Sequence, residues 1–182
     1  MESRRPVVDD SSMALITWIL MGAATPALPG PGAAAPETYR SAIVDSMGQL
    51  RIVTSRGRQI TPRMEDDQVG FTEPAVSRNR RAVGWLALFP NAATSYPVPL
   101  ELVILATGRQ RTYVGLGLML SRWTFTADGR RVAFREETVH GGFGVHYQLH
   151  DVATGRRLAE YEEDPEKPRT PPAWVRALDA LR

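Results

Sequence analysis

Three histidines and a pair of glutamates are the side chains of this sequence best suited to chemistry: His140, His146 and His150, with Glu136 and Glu137 just upstream. Imidazole and carboxylate together suit a metal site or a general acid–base pair. Spacing constrains both. On a strand His146 and His150 share a face but stand ~13 Å apart at ~3.3 Å per residue, beyond the reach of one ion. His146 meets His140 only if the Gly-Gly-Phe-Gly turn over 141–144 folds them together, with a third ligand drawn from Glu136 or Glu137 on the preceding strand. Adjacent glutamates on a strand point to opposite sides, so Glu136 and Glu137 cannot by themselves form a glycosidase pair. His140-Gly-Gly has the form of an oxyanion loop, yet there is no Gly-x-Ser-x-Gly elbow for it to serve. His140, His146 and Glu136 remain as metal candidates against the expectation of polar side chains on a wet sheet face. No catalytic residue and no cofactor is expected.

The elements that must position these residues lie between Trp123 and Tyr161, which reads as four short strands separated by turns. The chain has 182 residues, 43% hydrophobic and 23% charged, enough for one domain with a buried core. A net charge of +2 is too small to argue for nucleic acid. Lys167 is the only lysine, and Arg80-Arg81, Arg130-Arg131 and Arg156-Arg157 fall at predicted turns, where solvated charge is expected. Without cysteine the chain has no disulfide, no thiolate nucleophile and no cysteine-based zinc site. Glu65, Asp66 and Asp67 lack the spaced ligands and the glycine of a calcium loop. Gly115 and Gly117 lack the third glycine and the following helix of a dinucleotide fingerprint.

The pattern occurs twice. Val76, Ser77, Asn79, Val83 and Trp85 match Phe125, Thr126, Asp128, Val132 and Phe134 at a constant separation of 49 residues. Ala106-Thr107-Gly108-Arg109 recurs as Ala153-Thr154-Gly155-Arg156. Asn79-Arg80 and Asp128-Gly129 occupy tight turns that need positive φ, and Gly108 and Gly155 suit the same geometry in the later turn. Period-two alternation predicts a dry face of Val132, Phe134, Tyr147 and Leu149 and a wet one of Ala133, Arg135, His146, Gln148 and His150. In the first copy Val83, Trp85, Val98, Leu100 and Leu102 are the dry set, and the two dry faces are expected to cover one another. The run Val114 to Leu120 is expected to be a buried strand or crossover. Leu50 to Thr54, a turn at Gly57 and a strand near Ile60 resemble the back half of a further repeat.

The motif of aromatic, Ser/Thr, x, Asp/Asn, Gly, Arg, Arg, Val, Ala, Phe, followed by Tyr-x-Leu-x-Asp-Val-Ala-Thr-Gly-Arg, resembles the WD40-like repeat of TolB-type β-propellers. It spans Phe125 to Arg156 and, with fewer matches, Val76 to Arg109. The resemblance implies blade-like antiparallel sheets in an exported bacterial protein that serves as an interaction platform, with no catalytic residues attached. Two blades and a half fall short of the four to eight of a closed ring. The expected fold is therefore all-β, with two to three blade-like repeats in an open, sandwich-like packing and a short C-terminal helix; completion of a ring by a homo-oligomer is the alternative.

The ends of the chain complete the reading. Met13 to Ala24 is an apolar run of about a dozen residues, the length of a signal-peptide core and too short to span a bilayer. A Pro/Gly/Ala tract follows from Thr25 to Pro36. Residues 1–36 are thus expected to be a signal peptide or apolar segment with a linker, 37–169 the β-repeat domain, and 170–182 an amphipathic helix capped at Thr170 that buries Trp174, Val175, Leu178 and Leu181. The functional expectation is an exported, non-catalytic module that binds a protein or envelope macromolecule, with no nucleic acid and no stable membrane span. A secreted hydrolase or metal-binding protein built on His140, His146, Glu136 and Glu137 is the alternative.

Overall fold

The computed structural model describes residues 37–141 and 144–181, so the expected export signal and linker lie outside the described residues. Three open antiparallel sheets of consecutive strands follow one another along the chain. β1 (Tyr39–Val44), β2 (Leu50–Thr54) and β3 (Gln59–Ile60) make the first. β4 (Gly70–Val76), β5 (Ala82–Phe89), β6 (Val98–Ala106) and β7 (Arg109–Val114) make the second. β8 (Met119–Phe125), β9 (Arg131–Glu137), β10 (His146–Asp151) and β11 (Arg157–Glu162) make the third, followed by α1 (Ala173–Asp179). The all-β class, the open sheets and the short C-terminal helix agree with the sequence.

The layers stack. Val83, Trp85 and Val103 pack on Tyr39, Leu50 and Ile52 of the first sheet. From the other face of the second sheet, Leu86, Leu102 and Ile104 pack on Leu120, Trp123, Val132 and Phe134 of the third. The third sheet then turns Ala133, Tyr147, Leu149 and Tyr161 to Val175 and Leu178 of α1. Both four-stranded sheets are therefore dry on two faces, and this overturns the expected division into one dry and one wet face. Pairing register sets the true faces. Phe134 lies opposite Gln148, Val132 opposite His150, and Ala133 opposite Leu149. His146, Gln148 and His150 consequently share the inter-sheet side with Val132 and Phe134, while Tyr147 and Leu149 turn to the helix. In the second sheet Trp85 faces Val103, and a bulge between Ala87 and Leu88 puts Leu100 with the Trp85 cluster but leaves Leu102 on the opposite side.

Two further expectations are corrected. The apolar run from Val114 is not a buried strand: Val114 ends β7, Leu116 sits in a loop, both are well exposed, and the next strand starts at Met119. The helix starts at Ala173 with Pro172 in the cap position and no side-chain cap, so Thr170 plays no part. Val175 and Leu178 are buried, Trp174 is half-buried and Leu181 is exposed. Tyr147 anchors the helix by donating its hydroxyl to the Asp179 carboxylate at 3.1 and 3.2 Å. Burial, followed by the Asp179 charge, pushes the Tyr147 phenol well above its usual value of 10.

The two tight turns match residue for residue. The Arg80 and Gly129 amides donate to the carbonyls of Ser77 and Thr126, and the side-chain oxygens of Asn79 and Asp128 accept from the amides of Arg81 and Arg130. Both fourth positions have positive φ, 58° at Arg80 and 67° at Gly129. The turns also touch, because Asn79 Nδ2 donates to the Asp128 carbonyl at 2.8 Å. A Cβ at residue 129 would lie 2.7 Å from the Asn79 amide. Glycine is needed there for space as well as conformation.

Candidate functional site

β9 and β10 carry a row of polar side chains into the space between the second and third sheets. Glu136 is fully buried, and His146, Gln148 and His150 are each less than a tenth exposed. Alternation on β10 puts its three residues on one face, and antiparallel register brings Glu136 opposite His146. Gln148 Nε2 donates to Glu136 Oε1 at 2.5 Å, and His146 Nδ1 lies 3.2 Å from the same oxygen. The second carboxylate oxygen accepts the Leu116 amide at 2.6 Å, from the β7–β8 loop. A side chain at Gly115 would collide with that oxygen. Buried carboxylates persist only when hydrogen-bonded in this way.

The other end of the row turns on His150. Its Nδ1 lies 3.1 Å from the Gly155 carbonyl and its Nε2 2.8 Å from Gln148 Oε1. Both partners are acceptors in this amide orientation, so a neutral ring can donate to only one of them. Burial lowers the His150 pKa below its usual 6.5. Rotating the Gln148 amide removes the conflict at His150 and moves it to Glu136, whose oxygen would then face another oxygen. Phe134 stacks on the His150 ring and Tyr113 meets its edge at 4.8 Å. The Tyr113 hydroxyl is buried without a partner. An open cavity of about 430 Å³ beside it is lined by Arg111, Tyr113, Phe134, Gln148, His150 and Gly155.

The candidates are thus only partly brought together. His146 and Glu136 meet, whereas His140 is exposed and its Nε2 sits 3.2 Å from the Ala93 carbonyl. Glu137 turns away and pairs with Arg135 at 2.9 Å. Among the described residues no three His, Cys, Asp or Glu side chains converge as a metal would require. Chemically the row is a cross-link: it ties β9, β10, the β7–β8 loop and the turn before β11 through both Glu136 oxygens, both ends of the Gln148 amide and both His150 ring nitrogens. Gln148 and Tyr113 were missed as partners because their roles depend on register between strands. The legible signal was the alternation His-x-Gln-x-His opposite Val-x-Phe-x-Glu.

A second feature lies at one end of the stack. Antiparallel strands send the connections β1–β2, β5–β6, β7–β8 and β9–β10 to the same side, and the chain entering β4 starts there too. This end holds Ile43, Met47, Val69, Tyr96, Val114 and Leu116, each at least half exposed. Apart from Leu181 near the C-terminus, these are the exposed large apolar residues among the described ones. A cavity of about 320 Å³ opens between the loops here, with Asn91, Leu100, Leu118, Met119 and His140 in its wall. No known family model matches the chain, and no curated protein matches it.

Proposed function

We propose that this chain is an exported, non-catalytic β-repeat module, related to TolB-type propeller repeats, that binds a protein or envelope macromolecule through its long-loop end. The observation that carries this reading is the collection of exposed apolar side chains at that one end. Scattered surface hydrophobes need no explanation, but a set collected at one end of the stack marks an interaction surface. Two consecutive four-stranded meanders with matching Ser/Thr-x-Asn/Asp turns support the kinship with blade repeats. The commitment of Glu136, Gln148 and His150 to one another supports a structural role for the polar row rather than a catalytic one.

The test is capture from the native envelope fraction by the wild-type chain and by a Val114→Ser/Leu116→Ser variant. Capture of a defined partner that the variant loses by at least about tenfold, at unchanged thermal stability, is the expected result. Equal capture by both proteins refutes the assigned surface. The Glu136–His146 contact favours one second reading, a metal-dependent hydrolase. A stoichiometric transition metal in the purified protein that disappears in His146→Ala would establish that reading instead.

A further inference from the structure

The opposite end of the stack differs in kind. It collects the tight turns β2–β3, β4–β5, β6–β7, β8–β9 and β10–β11. Arg78, Arg80 and Arg81 stand in the β4–β5 turn, Arg109 follows the β6–β7 turn, Arg130 and Arg131 stand at β8–β9, and Arg156 stands before β11. All seven are exposed, and none takes part in an ion pair among the described residues. The acids at this end are held back: Asp128 and Asp151 accept hydrogen bonds within their own turns, and Glu37 pairs with Arg58. Asp45, Glu65, Asp66, Asp67, Glu162 and Glu163 lie at the long-loop end. The net charge of +2 therefore conceals a separation of sign along the strands. Between the two central turns lies a cavity of about 280 Å³, flanked by Arg81 and Arg130 over Ala82, Ala106 and Val152.

We propose that this tight-turn end docks on an anionic phospholipid surface. Guanidinium groups bind phosphate oxygens in bidentate fashion, and each basic residue within a Debye length of an anionic leaflet strengthens binding about fivefold. One observation favours a membrane over nucleic acid. The large exposed apolar and aromatic residues of the described stack, Tyr96 included, lie at the other end or near the C-terminus, so no aromatic platform for bases accompanies the arginines. The inference goes beyond the partner reading and does not rest on it.

The experiment compares sedimentation of the full chain with vesicles rich in phosphatidylglycerol and with vesicles of phosphatidylcholine alone, so that any contribution of the apolar run appears in both. Expected is a preference for the anionic vesicles that falls as salt rises. The variant Arg80→Gly/Arg81→Gln/Arg130→Gln/Arg131→Gln should lower that preference by about two to three orders of magnitude, and the four Arg→Lys changes should keep most of it. Arg80→Gly reproduces the residue of the second turn, and a matching circular-dichroism melt confirms that the variant folds. Equal partitioning to both vesicles, or an unchanged preference in the glutamine variant, overturns the proposal. Tighter binding to duplex DNA than to the anionic vesicles also overturns it and makes nucleic acid the partner. Capture through Val114 and Leu116 should be unaffected by the arginine changes, so failure here leaves the other reading standing.

Discussion

The second and third sheets are built from the same strand-and-turn plan and fill it differently. Where the first copy has Ala87, buried among apolar neighbours, the second has Glu136 at the matching position, fully buried and hydrogen-bonded. Opposite Trp85, β6 places Val103 among apolar neighbours, whereas opposite Phe134, β10 places Gln148 between the buried His146 and His150. The identical tetrapeptides also diverge. Ala106-Thr107-Gly108-Arg109 makes a two-residue hairpin loop with φ of 50° and 74° at Thr107 and Gly108. In Ala153-Thr154-Gly155-Arg156 only Gly155 has positive φ, and the strands separate from Val152 to Arg156. The cause lies two residues upstream. Asp151 Oδ1 accepts both the Thr154 amide and its hydroxyl at 2.7 Å, and Ile104 at the matching position has nothing to offer. A turn sequence specifies a conformation only together with the side chains that can bond to it.

Importing first-copy residues into the second copy tests this contrast. The largest effect is expected from Glu136→Ala, which copies Ala87 but strands Gln148, His146 and the Leu116 amide without their acceptor. A loss of about 3 kcal/mol is expected in urea unfolding; a change below about 1 kcal/mol would show that the row is solvated. Next comes Gly129→Ala, which meets both a positive φ and the Asn79 amide. It should cost about 2 kcal/mol, while the reciprocal Arg80→Gly should stabilise by about 0.5 kcal/mol, since relief of left-handed strain outweighs the added backbone entropy. Equal effects of the two changes would deny that the turns differ in how tightly they are packed.

Asp151→Ala removes the clasp on Thr154 and should cost about 1 kcal/mol, with faster hydrogen exchange at the Thr154 amide. Unchanged exchange there would mean that the longer turn is held by something other than Asp151. The mildest signature is a slope with pH. His150 has a folded pKa below 6.5, so the unfolded chain binds more protons as pH falls through that value. Stability should be full above about pH 6.5 and decline on acidification through the lower folded pKa. His150→Gln should flatten that part of the curve, and a variant with the same slope would assign it to another group.

Alternation, turn residues and the repeat were enough to place the four strands of the third sheet and β4 to β6 of the second, and to give them an antiparallel order, whereas β7, from Arg109 to Val114, was not placed. The Asn79 and Asp128 turns were legible because short-range hydrogen bonding fixes them. The polar row was visible as residues but not as a site. Its members belong to two strands, and the sign of their facing depends on a register that alternation within one strand does not contain. Alternation also implies a wet face only when nothing covers it. Here the second sheet covers one side of the third and α1 the other, so Tyr147 and His146 are both buried despite pointing in opposite directions.

By itself, then, the sequence determined the four strands of the third sheet, the two matching tight turns and the all-β class, because these follow from contacts a few residues long. Only the tertiary structure decided which side His146, Gln148 and His150 face, that His140 stands apart from them, and that arginines spread in ones and twos along the chain meet at one end. The physical reason is shared by all three. Antiparallel meanders return every second turn to the same place, and stacked sheets remove the solvent that would otherwise tell one face from the other.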